Sequence, residues 1–166
     1  LEIDSSDANE IINSIKNFAC SFGGINLEDI ASPDCFVIEE KLKELLDIPV
    51  FHDDQHGTAI ITTAALINAL DISGKSIKDI KVVVNGAGAS AIACTNLFKN
   101  SGILNENVTM VDRKGVIYSG RTEGMDQWKS AHAIDTKNRT LEEAIKGADV
   151  FLGLSAKGAL KKELVK

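Results

Sequence analysis

The spacing of apolar residues in the first half of the chain predicts helices and short strands in alternation. Apolar side chains that recur every three or four positions indicate amphipathic helices, and short apolar runs bounded by turn residues indicate strands. Gly23 and Gly24 end the first helical pattern. The predicted elements are helices at 6–18, 33–46 and 58–70, and strands at 25–27 and 48–51.

The second half of the chain continues the alternation with clearer strands. The β-branched run at 80–84 is typical of a buried strand, and the glycines that follow it break the pattern before a helix begins. The remaining predicted elements are helices at 91–98 and from 140, and strands at 108–111 and 150–154. This order predicts an α/β fold with a mainly parallel sheet, in which a Rossmann-like domain follows part of another α/β lobe. Polar residues and a glycine at 71–75 predict the lobe boundary, which divides the chain into residues 1–73 and 74–166.

Composition excludes several classes of protein. The chain has 166 residues, 44% of them hydrophobic, and a net charge of −6 with a pI near 5.1, which predicts a folded protein with no nucleic-acid partner. Its apolar runs are too short for a membrane span, so no membrane association is expected. Cys20, Cys35 and Cys94 are odd in number and widely spaced, which fits neither a disulfide framework nor a zinc knuckle. Reduced thiols and a cytoplasmic location are the resulting expectation.

A glycine-rich run between strand and helix is the most specific motif. It reads Gly86, Ala87, Gly88, Ala89, Ser90 and Ala91. In a dinucleotide site the first glycine permits the tight turn, the second lets the backbone approach a pyrophosphate, and the small last residue lets the helix pack closely on the strand. Asp112 ends the next strand, where an acid can bind the adenosine ribose. A turn that merely packs helix on strand is the alternative, but the complete order of elements favours a dinucleotide.

The choice between NAD and NADP stays open on these residues. The carboxylate of Asp112 would repel a 2′-phosphate, whereas the adjacent Arg113 could accept one. Ser155 follows the last predicted strand, at a position where such domains approach the nicotinamide half of the cofactor. It is a further candidate cofactor-binding residue.

Two acidic doublets, Glu28-Asp29 and Asp53-Asp54, each follow a short predicted strand. A helix links the two strands, and a right-handed crossover would bring their ends to the same sheet edge. Carboxylates that converge there repel one another unless a cation neutralises them, and oxygen ligands favour Mg²⁺ or Mn²⁺. A solvated surface loop is the alternative. The neighbouring His52 and His56 are expected to hydrogen-bond rather than to bind metal, and Glu39 and Glu40 are interpreted as a solvated helix face.

Four segments resemble malic enzymes of the shorter, bacterial type, and together they extend over nearly the whole chain. They are residues 22–30, 48–59, 83–89 and 148–155. The resemblance implies NAD- or NADP-linked oxidation of L-malate to oxaloacetate and its decarboxylation to pyruvate and CO₂, with Mg²⁺ or Mn²⁺. It also implies that Glu28, Asp29 and Asp54 are metal ligands and that Asp53 is a neighbouring catalytic acid. The family's general base, general acid and malate-binding arginine have no counterpart here, so we expect a weakly active or inactive fragment of a homodimeric enzyme.

Two other functions compete with this interpretation. A non-catalytic dinucleotide-binding module would carry the same glycine run, with its carboxylates as surface charge only. An amino-acid or tetrahydrofolate dehydrogenase of the same fold group would also share the glycine run, but such enzymes generally need no divalent ion. The paired acidic doublets therefore argue against the second alternative.

Overall fold

The chain forms two separate sheets in a computed structural model that describes residues 1–165. In the smaller sheet, β1 (Ile25–Leu27) pairs in parallel with β2 (Val50–His52). The larger sheet has the strand order β5-β4-β3-β6, in which only β5 is antiparallel to its neighbour. Its strands are β3 (Val82–Asn85), β4 (Val108–Asp112), β5 (Gly115–Val116) and β6 (Val150–Gly153). The predicted α/β fold with a mainly parallel sheet is confirmed.

Six α-helices surround these sheets in residues 1–165. They are α1 (Ala8–Phe18), α2 (Asp34–Leu45), α3 (Asp53–Ser73), α4 (Ala89–Asn100), α5 (Gln127–Ser130) and α6 (Leu141–Ala144). Local capping determines several of their ends. The Asp7 carboxylate accepts the Glu10 N–H at the start of α1, and Thr140 and Glu143 form the capping box predicted for α6. Gly74 ends α3 with φ 67°, a conformation that glycine adopts without strain.

Each sheet has its own apolar core. Around the small sheet, α1 and α2 bury Ile12, Ile15, Ile38 and Leu42 against Leu27 and Val50. In the large sheet β3 is central, and all four of its residues are buried. Its Val82 and Val84 pack into a core that includes residues of α3 and α4, whereas Val83 belongs to a cluster with Val111 and Ala144. Full burial of β3 on both sides explains the uninterrupted apolar run of Val82, Val83 and Val84.

Helix α3 differs most from its prediction. It begins at Asp53, five residues earlier than expected, so Asp53 and Asp54 occupy its first turn. Its first five residues, Asp53 to Gly57, include no apolar side chain, so apolar periodicity could not locate its start. Farther along the helix Ile60, Ile61 and Ile67 are exposed. The short hairpin of β4 and β5 was also missed. Gly74 does end α3, but the predicted lobe boundary at 73/74 stays a prediction.

No helix within residues 1–165 combines the length and the apolar composition that a membrane crossing requires.

Candidate functional site

The glycine run forms a tight turn between β3 and α4. Gly86 donates its N–H to the Val111 carbonyl at 2.8 Å and has φ 142°, in a region that only glycine adopts readily. A Cβ at this position would collide with the Leu154 carbonyl oxygen. Gly88 is the N-cap of α4, where no side chain caps the helix, and a Cβ there would meet no atom within 4 Å. The first turn of α4 therefore presents backbone N–H groups beside open space, as a phosphate requires.

The other residues of the run have the burial that a close helix–strand contact needs. Ala91 is buried between α4 and the sheet, whereas Ala87, Ala89 and Ser90 are half-buried around the turn. Ser155 lies beside the turn, because the Asn85 side-chain amide donates to its hydroxyl at 2.8 Å. The same two strand ends are joined by the Leu154 N–H and the Asn85 carbonyl at 2.9 Å. Asn85 was not singled out in the sequence, because its place at the end of the β3 run does not indicate that its side chain reaches Ser155.

Asp112 ends β4 next to the glycine turn, but its carboxylate is held by a buried arginine. Arg121 Nη2 lies 2.8 Å from both carboxylate oxygens, and Lys129 Nζ lies 3.6 Å from one of them. The rest of the Arg121 guanidinium donates to the carbonyls of Gly115, Val116 and Glu123. Arg113, in contrast, is exposed. Sequence reasoning missed Arg121, because it lies in a loop-rich region with no pattern that indicates burial.

The two acidic doublets come together at one edge of the small sheet. Parallel pairing places Leu27 opposite His52, so the residues that follow both strands emerge side by side. Asp29, with φ 57°, donates its N–H to Asp54 Oδ2 at 3.0 Å. Glu28 Oε1 accepts a hydrogen bond from the Asn26 amide at 2.9 Å. Glu28 and Asp29 also line an open cavity of about 1260 Å³ beside α1.

The carboxylates at this edge are not gathered around one point. Within residues 1–165, no group of three or more His, Cys, Asp or Glu side chains lies close enough to hold a metal ion. The structure thus aligns the two strand ends and joins Asp29 to Asp54, and the set of Glu28, Asp29 and Asp54 as metal ligands stays a prediction. Asp53 is exposed, and its carboxylate lies over Gly57, where a Cβ would collide with it. Its catalytic role likewise stays a prediction.

Of the three residues near the doublets for which sequence analysis made a prediction, His56 agrees with it, and His52 and Glu39 do not. His56 Nε2 contacts Glu39 Oε1 at 2.7 Å, which agrees with the hydrogen-bonding role expected of it. The ring nitrogens of His52, in contrast, are fully buried and have no hydrogen-bond partner within the described residues. The interpretation of Glu39 as solvated was wrong, since only 6% of the residue is exposed. Glu39 shares the buried face of α2 with Cys35, Ile38 and Leu42, and this helical spacing could have revealed it.

The glycine turn, the parallel strands and the helix that begins at the turn define a Rossmann-like dinucleotide-binding protein. Residues 55–166 match the family model of the malic enzyme NAD binding domain. The chain therefore belongs to the malic enzyme family, which confirms the resemblance found in the sequence.

Relatives agree with this assignment along the full chain. The NADP-dependent malic enzyme of Rhizobium meliloti is 60% identical over 166 residues, which are 100% of this chain and 22% of that protein. The NADP-dependent enzyme of Halomonas elongata is 53% identical, with 100% and 39% covered. The NAD-dependent malic enzyme structure from Thermotoga maritima superposes with a TM-score of 0.91 at 40% identity, covering 98% of this chain and 44% of that one. The chain thus spans between about a fifth and somewhat under half of the length of these proteins.

Proposed function

We propose that this chain is part of an enzyme that oxidises L-malate and decarboxylates the product to pyruvate and CO₂. NAD(P) would accept the hydride, and Mg²⁺ or Mn²⁺ would be the metal. The observation that carries the proposal is the hydrogen bond from the Asp29 N–H to Asp54 Oδ2, because it joins the two strand ends that bear the predicted metal ligands. The NAD binding domain match supports the cofactor, and malic enzyme relatives support the reaction.

The donor set at the strand ends fits a hard divalent cation. Glu28, Asp29 and Asp54 supply only carboxylate oxygens, which Mg²⁺ and Mn²⁺ prefer. A cation bound there supplies positive charge that favours loss of the proton from the C2 hydroxyl of malate. The three residues would hold that cation, and the partly exposed edge leaves room for a substrate. Asp53, exposed on the same first turn of α3, would be a neighbouring acid in the site.

The glycine turn would hold the dinucleotide. Backbone N–H groups at the start of α4 would bind its pyrophosphate, and Ser155 at the neighbouring strand end would lie toward the nicotinamide half. One pair of packed helices links the two sites, because α3 carries Asp53 and Asp54 and packs along α4. Thr62 Oγ1 of α3 lies 3.3 Å from Cys94 Sγ of α4. A dinucleotide held at the glycine turn would supply the acceptor for the hydride from C2 of malate.

The surroundings of Asp112 favour NADP over NAD. Arg121 donates to both carboxylate oxygens, and Lys129 and the Lys114 N–H also face them, so the charge of this acid is neutralised and it repels a 2′-phosphate less. Exposed Arg113 beside it would accept a 2′-phosphate. Relatives named NADP-dependent reach 60% identity, and the NAD-dependent relative from Rhizobium meliloti is 50% identical. A cytoplasmic location and a dimeric enzyme remain predictions from the sequence.

Manganese binding tests the proposed function most directly. Electron paramagnetic resonance of Mn²⁺ should show binding by the chain, and Asp54→Asn should weaken it at least about tenfold because an anionic ligand is lost. Asp71→Asn, which removes a carboxylate from the exposed last turn of the same helix, is the matched control and should bind like the wild type.

Outcomes of the same experiment separate the alternatives. Equal binding by Asp54→Asn and the wild type, or none by either, would favour a non-catalytic dinucleotide-binding module. With malate, NADP and Mn²⁺ the chain alone should show little or no turnover, because the resemblance to malic enzymes assigns the general base and the general acid to no residue of this chain. Turnover at the rate of an intact malic enzyme would contradict that expectation.

A further inference from the structure

A buried carboxylate on α2 contacts the first turn of α3 directly behind the acidic doublet. Glu39 is 6% exposed, and both of its oxygens have partners. Oε1 lies 2.7 Å from His56 Nε2 and 2.8 Å from Lys43 Nζ, and Oε2 accepts from the Gln55 amide at 3.4 Å. Gln55 and His56 are the two residues that follow Asp53-Asp54. Glu39 is therefore joined by two contacts to the turn that carries the predicted metal ligand Asp54.

The burial of Glu39 indicates that these contacts hold the side chains in fixed positions. Burying a carboxylate costs free energy unless hydrogen-bond donors surround it. The donors around Glu39 therefore fix its position, and Glu39 in turn fixes theirs. Gln55 is itself buried at 4% exposure, and the ring of Phe51 in β2 packs against the His56 ring with centroids 5.4 Å apart. The first turn of α3 thus contacts α2 through Glu39 and β2 through Phe51.

The contacts continue from this turn to the other doublet. Asp54 Oδ2 accepts the N–H of Asp29, a residue whose φ of 57° is uncommon for aspartate. A shift in the first turn of α3 would move Asp54 and remove the partner that holds Asp29 in this conformation. Glu39 is thus connected to both predicted ligands only through other residues, since its own contacts are with Lys43, Gln55 and His56.

We propose that Glu39 is a positioning residue that keeps Asp54 and, through it, Asp29 next to each other at the edge of the small sheet, so that a divalent cation can draw their carboxylates together. The inference rests on the proposed function for its consequence, metal binding. We call the contacts of Glu39 with Gln55 and His56, together with the Asp29–Asp54 hydrogen bond, the clamp. The clamp exists in the protein without a metal, so it can be tested separately from metal binding. Groups that orient metal ligands typically change metal affinity by 10–100-fold when removed.

The test compares Glu39→Gln and Glu39→Ala with the wild type. Glutamine keeps the shape and one acceptor oxygen, whereas alanine removes every contact. Glu44→Gln is the matched control, because Glu44 lies on the same helix, is exposed and pairs only with Lys41 among the described ion pairs. Circular dichroism establishes that each variant is folded before any comparison.

Two measurements decide the outcome. Amide hydrogen exchange at Asp29 should become several-fold faster in Glu39→Gln and faster still in Glu39→Ala, with exchange in β3 and β4 unchanged. The Mn²⁺ dissociation constant should rise about tenfold in Glu39→Gln and more in Glu39→Ala. Glu44→Gln should match the wild type in both. A purely structural role would instead lower stability without this local change at Asp29.

Different results would contradict the role of Glu39 and the proposed function. Unchanged exchange at Asp29 in both Glu39 variants would overturn the inference whatever the metal does, and so would an unchanged Mn²⁺ affinity in variants of a wild type that binds. Absence of Mn²⁺ binding by the wild type would count against the proposed function. The exchange rates would then decide on the clamp alone.

Discussion

The glycine turn and the carboxylate edge are prepared to different extents for their proposed ligands. At the glycine turn the binding groups are backbone N–H groups, and their positions follow from β3, α4 and the conformation of Gly86. At the carboxylate edge the strand ends are aligned, yet Glu28, Asp29 and Asp54 are not gathered. Like charges repel when brought together without a counter-ion, whereas backbone dipoles are held in place by the fold itself.

The two regions also balance charge differently. Asp112 beside the glycine turn is paired with Arg121 and approached by Lys129. Glu28 at the carboxylate edge is hydrogen-bonded only to the neutral amide of Asn26 among the described contacts. The carboxylate beside the glycine turn is therefore neutralised by the protein itself, whereas the carboxylates at the edge of the small sheet gain most from an added cation. Three predictions test this contrast, beginning with the largest expected effect.

Substitution of Gly86 should disrupt the nucleotide region as a whole. Gly86→Ala places a Cβ against the Leu154 carbonyl oxygen and forces alanine to φ 142°, so we expect the free energy of unfolding to fall by about 3 kcal/mol or more. Urea denaturation measures this loss. Gly88→Ala is the control, because its Cβ meets nothing within 4 Å. It should stay within about 1 kcal/mol of the wild type but weaken NADP binding, since the methyl group fills the space for the pyrophosphate. An equally large destabilisation by Gly88→Ala would contradict a turn that is already formed without ligand.

Mild acid should weaken the nucleotide region through His132. Burial, together with the nearby Lys99 ammonium, lowers the pKa of His132 from 6.5 to about 4, and its Nδ1 lies 3.0 Å from Lys99 Nζ. The unfolded chain binds a proton at His132 below pH 6.5 and the folded chain does not, so stability falls as the pH drops from about 6.5 to about 4. The expected loss is on the order of 2–3 kcal/mol.

Fluorescence of Trp128, the single tryptophan of the chain, reports on this region. Urea unfolding followed at pH 7 and pH 5 should show a larger difference in the wild type than in His132→Gln. If His132→Gln is as acid-sensitive as the wild type, the His132–Lys99 pair is not the cause.

Cofactor choice should depend on Arg113 more than on its neighbours. Arg113→Ser removes the exposed cation proposed to bind the 2′-phosphate, so we expect NADP affinity to fall about tenfold and NAD affinity to change little. Calorimetric titration with both cofactors measures the ratio. Lys114→Ser is the control, because the Lys114 ammonium is already paired with Glu123. A larger loss with Lys114→Ser than with Arg113→Ser would transfer the role to Lys114.

Local patterns in the chain predicted the parts that depend on near neighbours. The β-branched run of β3, the glycine run and the capping box of α6 each involve residues within a few positions, so their geometry is encoded locally. The start of α3 was missed because Gln55, His56 and Gly57 carry no apolar periodicity. The doublets were correctly predicted to follow parallel strands, because chain order and crossover handedness restrict where those strand ends lie.

Contacts between distant residues had no counterpart in these patterns. Arg121 turns back to neutralise Asp112, Asn85 reaches Ser155, and Glu39 crosses from α2 to α3. Each pair includes at least one polar side chain that is buried only once the helices and strands have packed, namely Arg121, Asn85 or Glu39, and an isolated segment would leave it in water. The alternation of helices and strands and the glycine and acidic motifs are therefore sufficient to predict the α/β class and to nominate candidate ligand-binding residues. Which charges are paired, and which stay available for a cofactor or a cation, depends on the burial that packing creates.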